Sequence, residues 1–235
     1  MNDDSPFDVL AVGAHPDDVE VGIGGIVANL VRRGKRVAIL DLTEGEMGTR
    51  GTVAERRGEA TAAAAMLGVS RRVNAKLPDG GVANDQTMRR AVVTLLRELR
   101  PAILIAPMNN DRHPDHDAAH FLVRDANYLA GLARLDTAQP PHRAAQVYYY
   151  RVYVDATLPG AVIDISDTFD TKLAALRAYV SQFFNPAYAG AETYVSSEKF
   201  WNAITTRAAY WGNRIGAAHG EPIYCDGPIG LKTLE

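Results

Sequence analysis

The chain has 235 residues, 47% hydrophobic and 23% charged, with 25 basic against 28 acidic residues and a net charge of −3. These values describe an ordinary globular chain, most simply one domain with a full core, and not a disordered or fibrous one. The slight acidity argues against a nucleic-acid partner, and no apolar stretch approaches the ~18 residues of a membrane span. The single cysteine, Cys225, excludes an internal disulfide and fits a reducing cytosol. The start, Met1-Asn2-Asp3-Asp4-Ser5-Pro6, lacks the basic and apolar regions of a signal peptide, so a cytoplasmic location is expected.

Residues 7–13 form an apolar run that reads as a buried strand, and 19–33 carry helical periodicity. Residues 36–42 read as a second strand. Residues 43–51 hold Gly45, Gly48 and Gly51 without an apolar pattern and read as a loop. A helix follows to Leu67, with Thr52 as N-cap, Glu55 completing a capping box and Gly68 as its stop. Residues 71–77 read as strand three, and Asp85 caps a helix to Arg100. Residues 102–106 form strand four, and 114–132 a helix with Pro114 near its first turn. Four successive β–α alternations predict a mostly parallel sheet with helices on both faces, a single-domain Rossmann-like three-layer α/β fold. Beyond it, 135–143 is a linker, 146–154 and 161–165 are strand-like, 167–181 is a helix capped by Ser166 or Asp167, and 196–217 is a last amphipathic helix.

Two stretches stand out. Ala14-His15-Pro16-Asp17-Asp18-Val19-Glu20 follows the first strand, and Asp111-Arg112-His113-Pro114-Asp115-His116 follows the fourth. Both fall at carboxyl ends of strands, where open α/β sheets bind ligands. His15, Asp18 and His116 make a three-ligand set with an open position, the arrangement of catalytic zinc; ferrous iron fits the same donors. The plainer reading is helix capping by Asp17 or Asp18, with His116 capping or packing on its helix. If Asp18 takes the metal, its neighbour Asp17 is free to accept a proton from an acidified water. Gly22-Ile23-Gly24-Gly25 is not the dinucleotide fingerprint, which needs a further glycine; close backbone approach explains it more simply. His120 lies four residues after His116, but the glutamate of the usual zinc-hydrolase motif is absent.

The paired motifs resemble those of the LmbE-like (PIG-L) family of zinc-dependent N-acetylglucosaminide deacetylases. The likeness also takes in Asp41-Leu42-Thr43, Gly51-Thr52-Val53 with Arg56 and Glu59, Pro78-Asp79, and Ile163-Asp164-Ile165-Ser166. The branch it most resembles removes acetate from N-acetylglucosaminyl-malate in bacillithiol biosynthesis. The mycothiol branch carries a tyrosine shortly before its His-Pro-Asp-His, where this chain has Asp111 and Arg112. Other N-acetylglucosaminides, such as the mycothiol precursor or a chitooligosaccharide, are the alternative substrates.

The resemblance implies Asp17 as general base. It makes His113 a non-ligand that steadies the oxyanion and protonates the leaving amine, although a fourth-ligand role stays open. Asp115 would orient one of the histidines. Arg56 and Asp79 are expected on the sugar, Arg143 or Arg112 on an acidic aglycone, whose carboxylates suit a guanidinium fork, and Glu46 among the substrate-binding residues near the cleft. Tyr148, Tyr149, Tyr150 and Tyr153 are core or a sugar platform. A homo-oligomer, trimer or hexamer, is expected.

Overall fold

The computed structural model describes residues 5–153 and 157–228. Five strands, β1 (Val9–Gly13), β2 (Val37–Thr43), β3 (Arg71–Leu77), β4 (Ile103–Pro107) and β5 (Gln146–Tyr150), form one sheet in the order β3-β2-β1-β4-β5. Every pairing in it is parallel. Val9 of the central strand stands opposite Val37 on one side and Ile103 on the other. The chain therefore winds outward from β1 in one direction, returns, and winds outward in the other. That reversal leaves a crevice beyond the carboxyl ends of β1 and β4.

Alternation along the strands splits the core in two. Val9, Ala11, Val37 and Ile39 face a layer made by α1 (Asp18–Arg32), α2 (Val53–Leu67), α5 (Phe169–Arg177) and α6 (Glu198–Asn213). Leu10, Val12, Ala38 and Leu40 face α3 (Gln86–Leu99) and α4 (Pro114–Ala130). The three-layer α/β architecture expected from the sequence is thus present. Local signals hold as well. Thr52 and Glu55 exchange both bonds of the capping box, Gly68 ends α2 at φ 73°, and the Asp85 side chain accepts the Met88 N–H.

The second half departs from expectation in particulars. The predicted helix over 167–181 is a 3-10 turn, Ser166–Thr168, followed by the shorter α5. Neither Ser166 nor Asp167 caps it. The Ser166 hydroxyl donates instead to Asp164 and accepts the N–H groups of Ala218 and His219. The last helix is capped by Ser197 and stops at Asn213. The strand expected to run to Val154 ends at Tyr150; Val154 lies outside the described residues, as do Met1 to Asp4. An unforeseen strand, β7 (Gly220–Ile223), pairs antiparallel with β6 (Ala161–Asp164). Gly220 and Pro222 mask it as loop in the sequence, and a two-stranded ribbon tolerates proline because only one edge is paired. Among the described residues no helix is long and apolar enough to cross a membrane.

Candidate active site

Both His-Pro-Asp turns lie in the crevice. After β1, the chain turns so sharply that Asp17 adopts φ 108°, a rare value for a residue with a side chain. Asp17 occupies the N-cap position of α1 yet makes no side-chain cap, which leaves its carboxylate for other work. Asp18 opens α1, and its Oδ2 accepts the His15 backbone N–H at 2.8 Å. After β4, His113 is the N-cap of α4: its Nδ1 accepts the Asp115 N–H at 3.2 Å, with Pro114 in the first helical turn. His116 follows on that turn and is fully buried.

The Asp18 carboxylate joins the two turns. Its Oδ1 lies 3.2 Å from His116 Nε2, and its Oδ2 lies 3.4 Å from His15 Nδ1. The outer nitrogens face other carboxylates. His15 Nε2 is 3.0 Å from Asp79 and 3.2 Å from Asp115, and His116 Nδ1 is 3.4 Å from Asp111. A carboxylate on one ring nitrogen holds the proton there and turns the other lone pair inward, the usual setting of a metal-binding imidazole. Among the described residues, the Nε2 of buried His116 makes no well-aligned hydrogen bond, as expected of a donor atom waiting for a cation. Two imidazoles and one carboxylate suit zinc, and also ferrous iron. A ring nitrogen of His113 also comes within 4.8 Å of those of His15 and His116.

The electrostatics agree. Burial opposes ionisation of Asp18, but His116 and His15 hold its carboxyl well below the usual range. Burial likewise opposes charge on His116, yet Asp18 and Asp111 push it up to about 9. The cluster thus attracts positive charge at the point between the two rings. Asp17 differs: burial pushes its carboxyl up to about 7, partly countered by the Arg56 guanidinium at 2.8 Å. Burial and its charged neighbours hold His113 below the usual histidine range, favouring the neutral ring. With Nδ1 accepting a backbone N–H, a neutral His113 carries its proton on Nε2 and is a donor without being an imidazolium.

The cleft in front of these groups has a volume of about 540 Å³, sugar-sized by the usual range for small-ligand sites. Arg56, Asp79 and Arg112 line it. Asp79 is also a partner of His15, and Asp115 bridges His15 Nε2 and the Gly80 N–H. Glu46 accepts the Asp79 N–H and pins the loop after β2 to the turn after β3, without lining the cleft itself. Arg143 is the misplaced residue. It donates to the Tyr128 carbonyl and sits over the Tyr128 ring, just before β5 begins. Helix α4 carries the chain from the carboxyl edge of the sheet back to the amino edge, so a residue between α4 and β5 lies at the wrong end.

Other histidines stay out of the site. His120 faces the Pro107 carbonyl and packs on Tyr149, and His219 stacks on Phe169. One residue without a role in the sequence reading, and one read only as core or platform, lie here. Asp111 faces His116 and accepts the Val152 and Tyr153 N–H groups. Tyr153 stacks parallel on the His116 ring at 5.5 Å. A carboxylate two residues before the His-Pro-Asp-His motif was the available signal for Asp111. Tyr153 had only its place in an aromatic run.

A parallel α/β sheet with a histidine–carboxylate cluster at its switch point puts side chains able to hold a metal where open α/β sheets bind ligands. The profile of the PIG-L family, described as GlcNAc-PI de-N-acetylase, matches residues 10–127. The diacetylchitobiose deacetylase of Thermococcus kodakarensis is 31% identical over 230 residues, covering 92% of this chain and 81% of that protein. A 1D-myo-inositol 2-acetamido-2-deoxy-alpha-D-glucopyranoside deacetylase of Rhodococcus opacus is 26% identical, over 74% of this chain and 81% of that one. The crystal structure of a conserved protein from Thermus thermophilus superposes with a TM-score of 0.89 at 36% identity, covering 97% and 99% of the two chains. The chain belongs to the PIG-L (LmbE-like) family of de-N-acetylases.

Proposed function

We propose that this protein is a metal-dependent hydrolase that removes the acetyl group from an N-acetylglucosaminyl conjugate, with N-acetylglucosaminyl-malate as its substrate. The observation that carries the chemistry is the buried Asp18 carboxylate flanked by His15 Nδ1 and His116 Nε2. His15, Asp18 and His116 would hold the ion, Zn2+ or Fe2+. Bound there, it supplies Lewis-acid chemistry, polarising an acyl oxygen and acidifying a water.

The chain's own residues do the rest. Arg56 engages Asp17 Oδ2, leaving Oδ1 to take the proton of the attacking water. The His113 Nε2 proton steadies the oxygen charge that develops as water adds to the amide carbon. Collapse breaks the carbon–nitrogen bond, the proton held by Asp17 passes to the leaving nitrogen, and the free amine and acetate leave, with Asp17 returned to its carboxylate. Asp115 and Asp79 on His15, and Asp111 on His116, keep the rings in one orientation.

Arg112 supports the malate conjugate. Its guanidinium rests 4.0 Å from the Tyr194 ring centre and 5.3 Å from that of Tyr153, lines the cleft, and has no ion pair among the described residues. A stacked guanidinium with free donors suits a carboxylate. The likeness to the Thermococcus enzyme favours a second reading, diacetylchitobiose, with Tyr153 and Tyr194 as a platform for a second sugar. A cytosolic setting and a trimer or hexamer are part of the proposal; lone Cys225 supports the former.

Amine release from N-acetylglucosaminyl-malate, diacetylchitobiose and the N-acetylglucosaminyl-inositol conjugate, by zinc-loaded and chelated protein, tests it. Zinc-dependent release fastest with the malate conjugate is expected. Faster release from chitobiose or the inositol conjugate would move the substrate. Equal release with and without metal would overturn the chemistry.

A further inference from the structure

The helix that carries Asp18 is broken. At Ile23, fully buried, the backbone of α1 leaves helical values for φ −142° and ψ 22°. The polar groups around the break have partners outside the helix. Lys172 Nζ, from α5, donates to the Val21 carbonyl at 2.7 Å. Glu221, from β7, accepts the Gly25 N–H at 3.1 Å and the Ile26 N–H at 2.7 Å. Lys172 and Glu221 meet each other at 2.6 Å, and both are buried. Side chains inserted into a helical ladder are a recognised cause of a kink. Gly24 makes room for the insertion, since a Cβ there would fall 3.2 Å from Lys172 Cγ.

A buried ion pair is an inefficient stabiliser, because desolvation offsets most of its attraction; fixing one geometry is its better-attested use. The segment on the amino side of this break is a single turn, and it carries Asp18. The turn is not packed tightly on every side. Val21, Gly22, Lys172 and Glu221 border a cavity of about 210 Å³ that extends to Tyr153, the ring stacked on His116. Elsewhere the turn is anchored by Glu20, which pairs with Arg72 and accepts from Tyr179, and by Gly22 against the Tyr150 ring; on the cavity side, at the break itself, the pair braces it.

We propose that the Lys172–Glu221 pair, inserted at the Ile23 break, is a positioning device that sets the angle at which the first turn of α1 presents Asp18 to His15 and His116. The inference rests on the reading of Asp18 as a metal ligand. It also accounts for two residues of Gly22-Ile23-Gly24-Gly25: Gly24 admits the lysine stem, and Ile23 is where the helix bends; Gly22 and Gly25 make room for Tyr150 and Ile165.

The test compares zinc-loaded Lys172→Met and Glu221→Gln with Leu96→Ala, a core truncation on the far face of the sheet. Zinc affinity is read by chelator competition, kcat and KM at saturating zinc, and Tm in parallel. Positioning predicts zinc affinity and kcat each lower on the order of tenfold in both pair variants, with KM held within about twofold. Leu96→Ala should lower Tm alone. A Tm loss in the pair variants like that of Leu96→Ala, with zinc affinity and kcat unchanged, would overturn the proposal. Each single variant leaves a polar group unpaired in the core, so the neutral Lys172→Gln/Glu221→Gln protein provides the same comparison if either fails to fold. Asp18→Asn separates the two readings. If it keeps full zinc affinity, the ligand reading falls and positioning with it. If it loses zinc while the pair variants keep theirs, only positioning falls.

Discussion

The tripeptide His-Pro-Asp occurs in both active-site turns and is used in opposite ways. After β1, the first turn places its histidine against Asp18 and strains the following Asp17 to φ 108° without a capping bond. After β4, the second turn relaxes into an ordinary helix start. His113 caps α4, and Asp115 reaches across to His15 Nε2. The first Asp keeps a buried carboxyl, pushed up to about 7, with one oxygen held by Arg56 and the other free of a side-chain partner among the described residues; the second is consumed in bracing a histidine of the first. Backbone conformation and the identity of the next residue, Asp18 or His116, divide the labour. The strain at Asp17 is the kind that persists where surrounding structure over-determines a functional residue.

Substitutions in matched positions can break or sharpen this contrast. His116→Ala should have the largest effect, abolishing bound metal by mass spectrometry and lowering activity to background; full retention of metal and rate would refute the ligand set. Asp17→Asn should keep metal near the unaltered level and lower kcat by roughly 10²–10⁴. Loss of metal in that variant would make Asp17 a ligand. For His113, Asn preserves a good helix cap, so His113→Asn should fold normally, retain metal, and lose about 10²–10³ in kcat. The counterpart Asp115→Asn should be mildest in rate but weaken metal affinity by about 10–100-fold, because it loosens His15. Similar kcat losses for Asp17→Asn and Asp115→Asn at saturating metal would erase the division of labour.

The site was legible to the extent that its residues share one local motif. His15, Asp17 and Asp18 directly follow β1, and His113, Asp115 and His116 lie within nine residues of the end of β4, and parallel topology brings such ends together. Arg56, in the first turn of α2, and Asp79, on the connection after β3, sit at neighbouring carboxyl ends and follow the same rule. Arg143 failed because helix length and direction, not residue type, decide which edge of the sheet a residue meets. Tyr153 gains its role only from stacking on His116, a long-range contact without a local signature. Strand β7 was hidden for a related reason: Gly220-Glu221-Pro222-Ile223 has no alternation, and its pairing with β6 is set by tertiary structure. The kink in α1 was also invisible, since its partners Lys172 and Glu221 lie far along the chain.

The central claim is that two imidazoles and one carboxylate hold the metal while His113 stands beside it. A crystal structure of the zinc-loaded protein with anomalous data at the zinc edge tests this most directly. The ion should lie on His15 Nδ1, Asp18 and His116 Nε2, with His113 Nε2 facing the cleft. Zinc on His113, or among His15, Asp79 and Asp115, would contradict the account.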